Sequence, residues 1–125
     1  MDKTETIVKD LVQELHRGSL VLMVLSQLTE PQYGYSLVQR FDEKGLPMEP
    51  GTLYPLLRRL EKQNLLDSQW DTGTGHPRRY YVLSAGGRSV LGRLAQEWNK
   101  LAGQMDLLMK TGSANPHQTG GKYDE

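Results

Sequence analysis

Apolar positions along the chain follow a helical period in five stretches and a strand period in two. From Thr4 to Arg17, Ile7, Leu11 and Leu15 recur every fourth residue with Val8 and Val12 beside them. This predicts a short amphipathic helix stopped by Gly18. Ser19 is placed to cap a second helix, Leu20 to Leu28, which is apolar nearly all round and therefore expected at the centre of the fold. Glu30-Pro31-Gln32-Tyr33-Gly34 reads as a turn. A third helix, about Gly34 to Glu43, has Leu37, Val38 and Phe41 as its inner face and ends at Gly45.

The fourth helical stretch, residues 50–64, is the most informative. Leu53, Leu56, Leu57 and Leu60 stand at i, i+3, i+4 and i+7, one apolar stripe that belongs in the core. At about 100° per residue the opposite face carries Gly51, Pro55, Arg58 and Lys62, flanked by Thr52 and Arg59 on one side and Tyr54 on the other. Pro50 suits the first helical position, where its missing N–H would be unpaired anyway, whereas Glu49 is a poor N-cap. Pro55 removes the bond to the Gly51 carbonyl, which predicts a kink or a separate first turn.

After Asn64 the period changes to two. Leu66, Ser68 and Trp70, then Tyr81 and Leu83 opposed by Tyr80 and Val82, predict two strands. Residues 71–79, with Gly73, Gly75 and Pro77, form the expected hairpin loop, and Arg78 and Arg79 close it. Ser84 is placed to cap a last helix whose first turn Gly86 and Gly87 weaken. Along it Leu91, Leu94, Trp98, Leu101, Met105 and Leu108 are spaced 3, 4, 3, 4, 3, the alternation of a coiled-coil seam. A small core has little room to cover a helix of about 35–40 Å, so a second copy of the chain is the expected cover. That partner should lay its Ile7, Leu11 and Leu15 face against the seam, giving a homodimer. From residue 111 the composition turns to Gly, Ser, Asn, Pro, His and Gln, which predicts a disordered tail.

The expected architecture is therefore mostly α with a small β wing. A winged helix-turn-helix over residues 1–84 is followed by a long dimerisation helix, 85–110, and a tail, 111–125. The chain has 125 residues, enough for one modest core, and no cysteine, which removes disulfides, thiolate metal sites and a Cys nucleophile. His16, His76 and His117 lie in separate segments, so no metal site is expected, and neither a phosphate-binding glycine loop nor a nucleophile elbow occurs. No cofactor and no enzymatic activity are expected. The start, Met1-Asp2-Lys3-Thr4-Glu5-Thr6, lacks a signal-peptide pattern and the run Leu20 to Leu25 is too short to span a membrane, so a cytoplasmic protein is expected.

Charge sharpens this picture. The formal net charge is zero, yet residues 50–88 carry six Lys and Arg against three Asp and Glu, while residues 1–49 carry five against eight. A nucleic-acid contact belongs in the basic segment. There, Thr52 and Tyr54, with the backbone at Gly51, are placed nearest the bases or their phosphates, and Arg58, Arg59 and Lys62 along the DNA backbone. The wing tip, residues 74–79, is expected to reach an adjacent minor groove with His76 or Arg78. The competing class is a winged-helix module that binds protein instead of DNA, to which the zero net charge and Glu49 lend weight.

Gly34-Tyr35, then the run from Pro50 through Gly51, Thr52, Leu53, Tyr54 and Pro55 to Glu61, then Pro77-Arg78-Arg79-Tyr80-Tyr81-Val82-Leu83-Ser84-Ala85-Gly86 resemble the signature of the PadR family, bacterial regulators named for a phenolic-acid decarboxylase repressor. The match runs from about Ser19 to Leu108, and the single final helix resembles the smaller subgroup. The resemblance implies a homodimeric repressor, often of efflux or detoxification genes, that binds an inverted-repeat operator with ATGT and ACAT arms and leaves it when an effector binds. It adds Tyr35 and Arg79 to the DNA-contacting set and supports Pro55 inside the recognition helix. Glu49 departs from the family's Ser or Asn, and an acidic group there would weaken or re-tune DNA binding. Ser84 in place of Thr is conservative. Trp98, the one aromatic in the seam, either fills the dimer core or stacks a planar aromatic effector, and the resemblance adds that some drug-responsive members carry a Trp at the matching place.

Overall fold

Eight elements appear in the computed structural model, which describes residues 2–73 and 75–113, with side-chain surroundings to residue 110. They are α1 (Lys3–Arg17), α2 (Leu20–Ser26), β1 (Gln32–Tyr33), α3 (Gly34–Glu43), α4 (Pro50–Lys62), β2 (Leu66–Asp71), β3 (Arg78–Leu83) and α5 (Ala85–Ser113). Thr74, His117 and the tail from residue 114 lie outside the described residues. The last helix thus runs to Ser113, three residues into the stretch expected as tail. No helix among the described residues is long and apolar enough to cross a membrane.

The α4 stripe organises the core. Leu53, Leu56, Leu57 and Leu60 are all buried, and Val24, Leu25, Leu28, Leu37, Phe41, Met48, Leu66, Tyr81 and Leu83 complete the apolar interior. α3 and α4 stop in the same way. Gly45 (φ 76°) and Asn64 (φ 63°) take the left-handed conformation. Leu46 N–H then reaches the Phe41 carbonyl at 2.9 Å and Leu65 N–H the Leu60 carbonyl at 3.0 Å, which satisfies carbonyls the helix would leave unpaired. Gly18 does otherwise: its φ is −67°, so α1 ends without a left-handed residue. At the other end of α4, Glu49 provides no side-chain cap, and the Thr52 and Leu53 N–H groups bond its carbonyl at 2.9 Å. The helix continues through Pro55 as one element, so the separate first turn is absent.

α2 is shorter and less buried than its composition predicts. Only Val24 and Leu25 are buried within it, Ser19 makes no side-chain cap bond, and the chain tightens after Ser26, with Leu28 N–H on the Leu25 carbonyl at 3.1 Å. The Leu28 carbonyl in turn accepts the Leu83 N–H at 2.9 Å. The expected turn at residues 30–34 contains a strand: Gln32 pairs with Tyr81 and Tyr33 with Tyr80. The wing is therefore a three-stranded antiparallel sheet, ordered β1-β3-β2. Asp71 pairs with Arg78 and Trp70 with Arg79, which shortens the loop to residues 72–77 and places both arginines in β3.

Two compact units are present, residues 1–92 and the part of α5 from Arg93 on, so the first eight residues of α5 belong with the wing and core. In α1 no residue is buried: Leu15 is 71% exposed, and Ile7, Val8, Leu11 and Val12 lie open beside it. Within the second unit Trp98 is 48% exposed, and Leu101, Met105, Leu107, Leu108 and Met109 are also open.

Gly87 explains the weak start of α5. Ser84 caps the helix as expected, its Oγ accepting the Gly87 N–H at 2.9 Å and donating to the Asn64 carbonyl at 2.7 Å. This brings α5 so close to the chain after α4 that a Cβ on Gly87 would overlap the Leu65 carbonyl oxygen and lie 3.2 Å from Leu83 Cδ2. Glycine here costs helix propensity but permits the approach. Gly87→Ala should therefore destabilise the fold by about 1–3 kcal/mol, although alanine is the better helix former. Urea unfolding at equilibrium checks this, and an unchanged or raised midpoint would show that the approach is not tight.

Candidate nucleic-acid interface

Burying the leucine stripe turns the other face of α4 outward. Gly51, Thr52, Tyr54, Arg58, Arg59 and Lys62 are all exposed, as are Glu49 and Pro50 before them. Arg58, Arg59 and Lys62 make no ion pair among the described residues. Gly51 faces open space, with no atom within 4 Å of where a Cβ would stand. Tyr54 is placed differently from its neighbours. Its ring lies against the start of α3, so close that a Cβ on Gly34 would be 2.6 Å from Cε1.

The wing contributes from β3. Arg79 donates from Nη2 to Glu61 Oε1 at 2.7 Å and from Nε to Ser68 Oγ at 3.0 Å, and Ser68 donates to the other Glu61 oxygen. This three-membered cluster ties α4 to both long strands. It fixes the angle between the helix and the wing while consuming the Arg79 charge. The guanidinium also lies 5.7 Å from the Trp70 ring and 5.5 Å from that of Tyr81, whose phenol pKa burial raises.

Arg78 is held by a second cluster. Its guanidinium stacks 4.3 Å above the Tyr33 ring, Nη1 donates to the Tyr35 hydroxyl at 2.9 Å, and Nη2 stands 3.6 Å from Asp71 Oδ2. The Tyr33 and Tyr35 rings stack with centroids 5.8 Å apart, and Tyr80 meets Tyr33 edge-on. Tyr33 donates its hydroxyl to Asp71 Oδ2 at 2.6 Å, and Gly73 N–H donates to Asp71 Oδ1 at 3.0 Å. Neither Tyr33 nor Asp71 carries a local signal of this role, because one stands in turn-like and the other in loop-like sequence. The alternation of Tyr80 with Tyr81 was the one available hint of a further strand beside β3.

Tyr35, Tyr54 and Arg58 on one side and Trp70, Arg78 and Arg79 on the other line a cleft of about 250 Å³ between α3, α4 and the wing. The structure thus brings together six side chains from four elements, five of them expected DNA contacts. His76 is exposed in the loop and does not line this cleft. Arg78 belongs to the strand, not to the loop tip from which it was expected to enter a minor groove. Such a cleft, aromatic-walled and cationic at its rim, is suited to a phosphodiester oxygen.

The Tyr33–Asp71 bond makes the wing sensitive to pH at both ends. Accepting the Tyr33 hydroxyl and the Gly73 N–H holds the Asp71 carboxyl below its ordinary value, so its contribution is present above about pH 3.9 and lost as pH falls through the lowered value. The same bond raises the Tyr33 phenol, whose contribution is present below about pH 10 and lost as pH rises through the raised value. Melting temperature followed against pH should therefore fall less steeply at both ends in Tyr33→Phe than in the wild type. Parallel curves would show that the bond adds nothing in solution.

Comparison with known proteins places this geometry. Residues 21–93 match the model of the transcriptional regulator PadR-like family. A PadR family transcriptional regulator from Eggerthella lenta is 46% identical, with a TM-score of 0.80 over 90% of this chain and 97% of the other. The transcriptional regulator Rv3488 of Mycobacterium tuberculosis is 35% identical over 64% of this chain and 76% of its own. The fold is also similar to Bacillus subtilis PadR in complex with operator DNA, 21% identical, with a TM-score of 0.56 over 61% of this chain and 46% of the other.

Proposed function

The chain belongs to the PadR-like family of transcriptional regulators, and from that premise we propose that it is a sequence-specific double-stranded DNA-binding repressor. The observation that carries this reading is the outward face of α4, with three cations outside any ion pair among the described residues, set beside the cleft that Arg78 and Arg79 share. α4 is the recognition helix. Thr52 and the Gly51 backbone approach the base edges, and Arg58, Arg59 and Lys62 bind phosphates on either side. Tyr35, Tyr54 and Arg78 take the neighbouring phosphates through the cleft, Arg79 holds the wing at the angle this needs through Glu61 and Ser68, and His76 accompanies the wing loop. Glu49, exposed at the same end, tunes affinity downward by repelling phosphate. The fold-mate from Bacillus subtilis, seen with operator DNA, supports the same use of this architecture.

Two substitutions on α4 separate DNA contact from folding. Arg58→Ala should weaken binding to all duplexes and flatten its salt dependence by about one unit of log–log slope. Gly51→Ala should stabilise the free protein by about 0.5–1 kcal/mol, because nothing crowds the added methyl, yet weaken DNA binding by occupying the space the DNA needs. Mobility shift on the gene's own upstream region, paired with thermal melting, reads both. Equal retardation of that fragment and a random one would remove the claim of specificity, and no retardation of either would leave a protein-binding winged-helix module.

The open apolar rows of α1 and α5 support a homodimer in which the seam Leu91, Leu94, Trp98, Leu101, Met105 and Leu108 packs against its symmetry mate and the partner's α1, residues Ile7, Leu11 and Leu15. Two recognition helices then meet an inverted-repeat operator about one DNA turn apart. Paired Trp98 indoles leave flat apolar surface for a planar aromatic effector, whose binding releases a repressed efflux or detoxification gene. Sedimentation at micromolar concentration should show a dimer that Leu101→Asp dissociates. Titration of planar drugs and phenolic acids should quench tryptophan fluorescence in the wild type but not in Trp98→Ala, where Trp70 remains as control. A monomeric wild type would remove the dimer, and quenching that survives the substitution would leave Trp98 as packing.

A further inference from the structure

Arg78 is the one cation of the wing whose donors are poorly used. Of its guanidinium nitrogens, Nη1 makes one hydrogen bond, to Tyr35. Nε is buried without a partner. Nη2 lies 3.6 Å from Asp71, within reach of Coulomb attraction but beyond the 2.7–2.9 Å or so of a charge-assisted hydrogen bond. Asp71 commits its oxygens elsewhere, Oδ2 to the Tyr33 hydroxyl and Oδ1 to the Gly73 N–H. Arg79, by contrast, meets Glu61 at 2.7 Å and Ser68 at 3.0 Å. A fork of N–H groups with one bond made, one buried donor orphaned and one loose counter-charge, at the wall of a cleft that also presents Tyr35, Tyr54 and Arg58, has the donor capacity to take an oxyanion.

We propose that this cleft seats one phosphate of the DNA backbone on Arg78 and Tyr35, and that Asp71 is an internal stand-in for that phosphate, holding Arg78 in the free protein and yielding it on binding. The inference rests on the DNA-binding reading above and names the residue that sets its strength. Asp71 stands on the strand face opposite Arg79, and its two other bonds stay intact when Arg78 moves, so the wing keeps its shape as the guanidinium changes partner. An exchange of one anion for another explains how a chain of zero net charge avoids holding every nucleic acid it meets. Each wing arginine already has a carboxylate, Asp71 or Glu61, and only the loosely paired one is available for exchange.

Fluorescence-anisotropy titration of the full chain with its own upstream duplex and with a random duplex tests this in wild type, Asp71→Asn, Arg78→Gln and the double variant. Asparagine retains an oxygen for the Gly73 N–H and a polar partner for Tyr33. Asp71→Asn should tighten both duplexes about two- to fivefold, the range expected for releasing an exposed ion pair, and the gain should vanish when Arg78→Gln is also present. Asp67→Asn, the same charge change four residues back on β2, should leave affinity unchanged. Arg78→Gln alone, which leaves Asp71 and its bonds in place, should weaken both duplexes and flatten the salt slope by about one; an unaltered slope overturns the phosphate seat even if Asp71→Asn does not fold. Weaker binding by Asp71→Asn would mean that Asp71 aims Arg78 at the DNA, and a gain that persists without Arg78 would mean diffuse repulsion; either overturns the stand-in. Wild type that binds no DNA overturns this inference together with the DNA-binding reading, whereas wild type that binds while Asp71→Asn and Arg78→Gln match it overturns this inference alone.

Discussion

Everything on the outward side of the helix-and-wing unit depends on the rotation of α4 about its own axis, and four leucines set that rotation. Burying a leucine side chain contributes about 1.5–3 kcal/mol, so the stripe Leu53, Leu56, Leu57 and Leu60 represents a term as large as the net stability of a small domain. A turn of one residue, about 100°, would expose much of the stripe and bury Arg58 or Arg59 without partners. The outward presentation of Gly51, Thr52 and the cations is thus a consequence of the core, and Pro55 is tolerated because the burial on either side of it holds the helix in one piece.

The wing is fixed to this helix by charge as well as by packing. Glu61, Ser68 and Arg79 join α4, β2 and β3 around one carboxylate, and the buried pair Leu66 and Leu83 closes the sheet behind them. Near α5 the Leu65 carbonyl, Gly87 and the Ser84 cap hold the last helix against the end of α4. Gly87 thus lets the chain approach itself, whereas Gly51 stands open, with no atom within 4 Å of where a Cβ would be.

Charge in this protein is sorted rather than accumulated. The basic excess of residues 50–88 does not act as a uniform patch, because Arg79 and Arg78 face Glu61 and Asp71, and Arg88 donates to the Thr29 carbonyl at 3.0 Å. What remains open is the row Arg58, Arg59 and Lys62 on one helix. Such an arrangement limits long-range attraction to any polyanion and concentrates it where the shape of α4 also has to fit.

Elements whose period is local can be read from the order of residues alone. The α4 stripe, the α3 helix to its last residue, the two long strands and the final helix are all legible, because an apolar residue every 3.6 or 2 positions leaves its mark within one window. The family was legible for the same reason, since its signature residues are contiguous. Features without a local period arise only when distant segments meet in the folded chain. β1 has two residues, too few to show alternation, and it exists because β3 offers an open edge. The length of the wing loop followed from the strand register that pairs Asp71 with Arg78. The Tyr33–Asp71 bond joins residues 38 apart and the Arg78–Tyr35 bond residues 43 apart, and whether a cation is available or engaged depends on which acid the fold sets beside it, a distance that no spacing along the chain encodes.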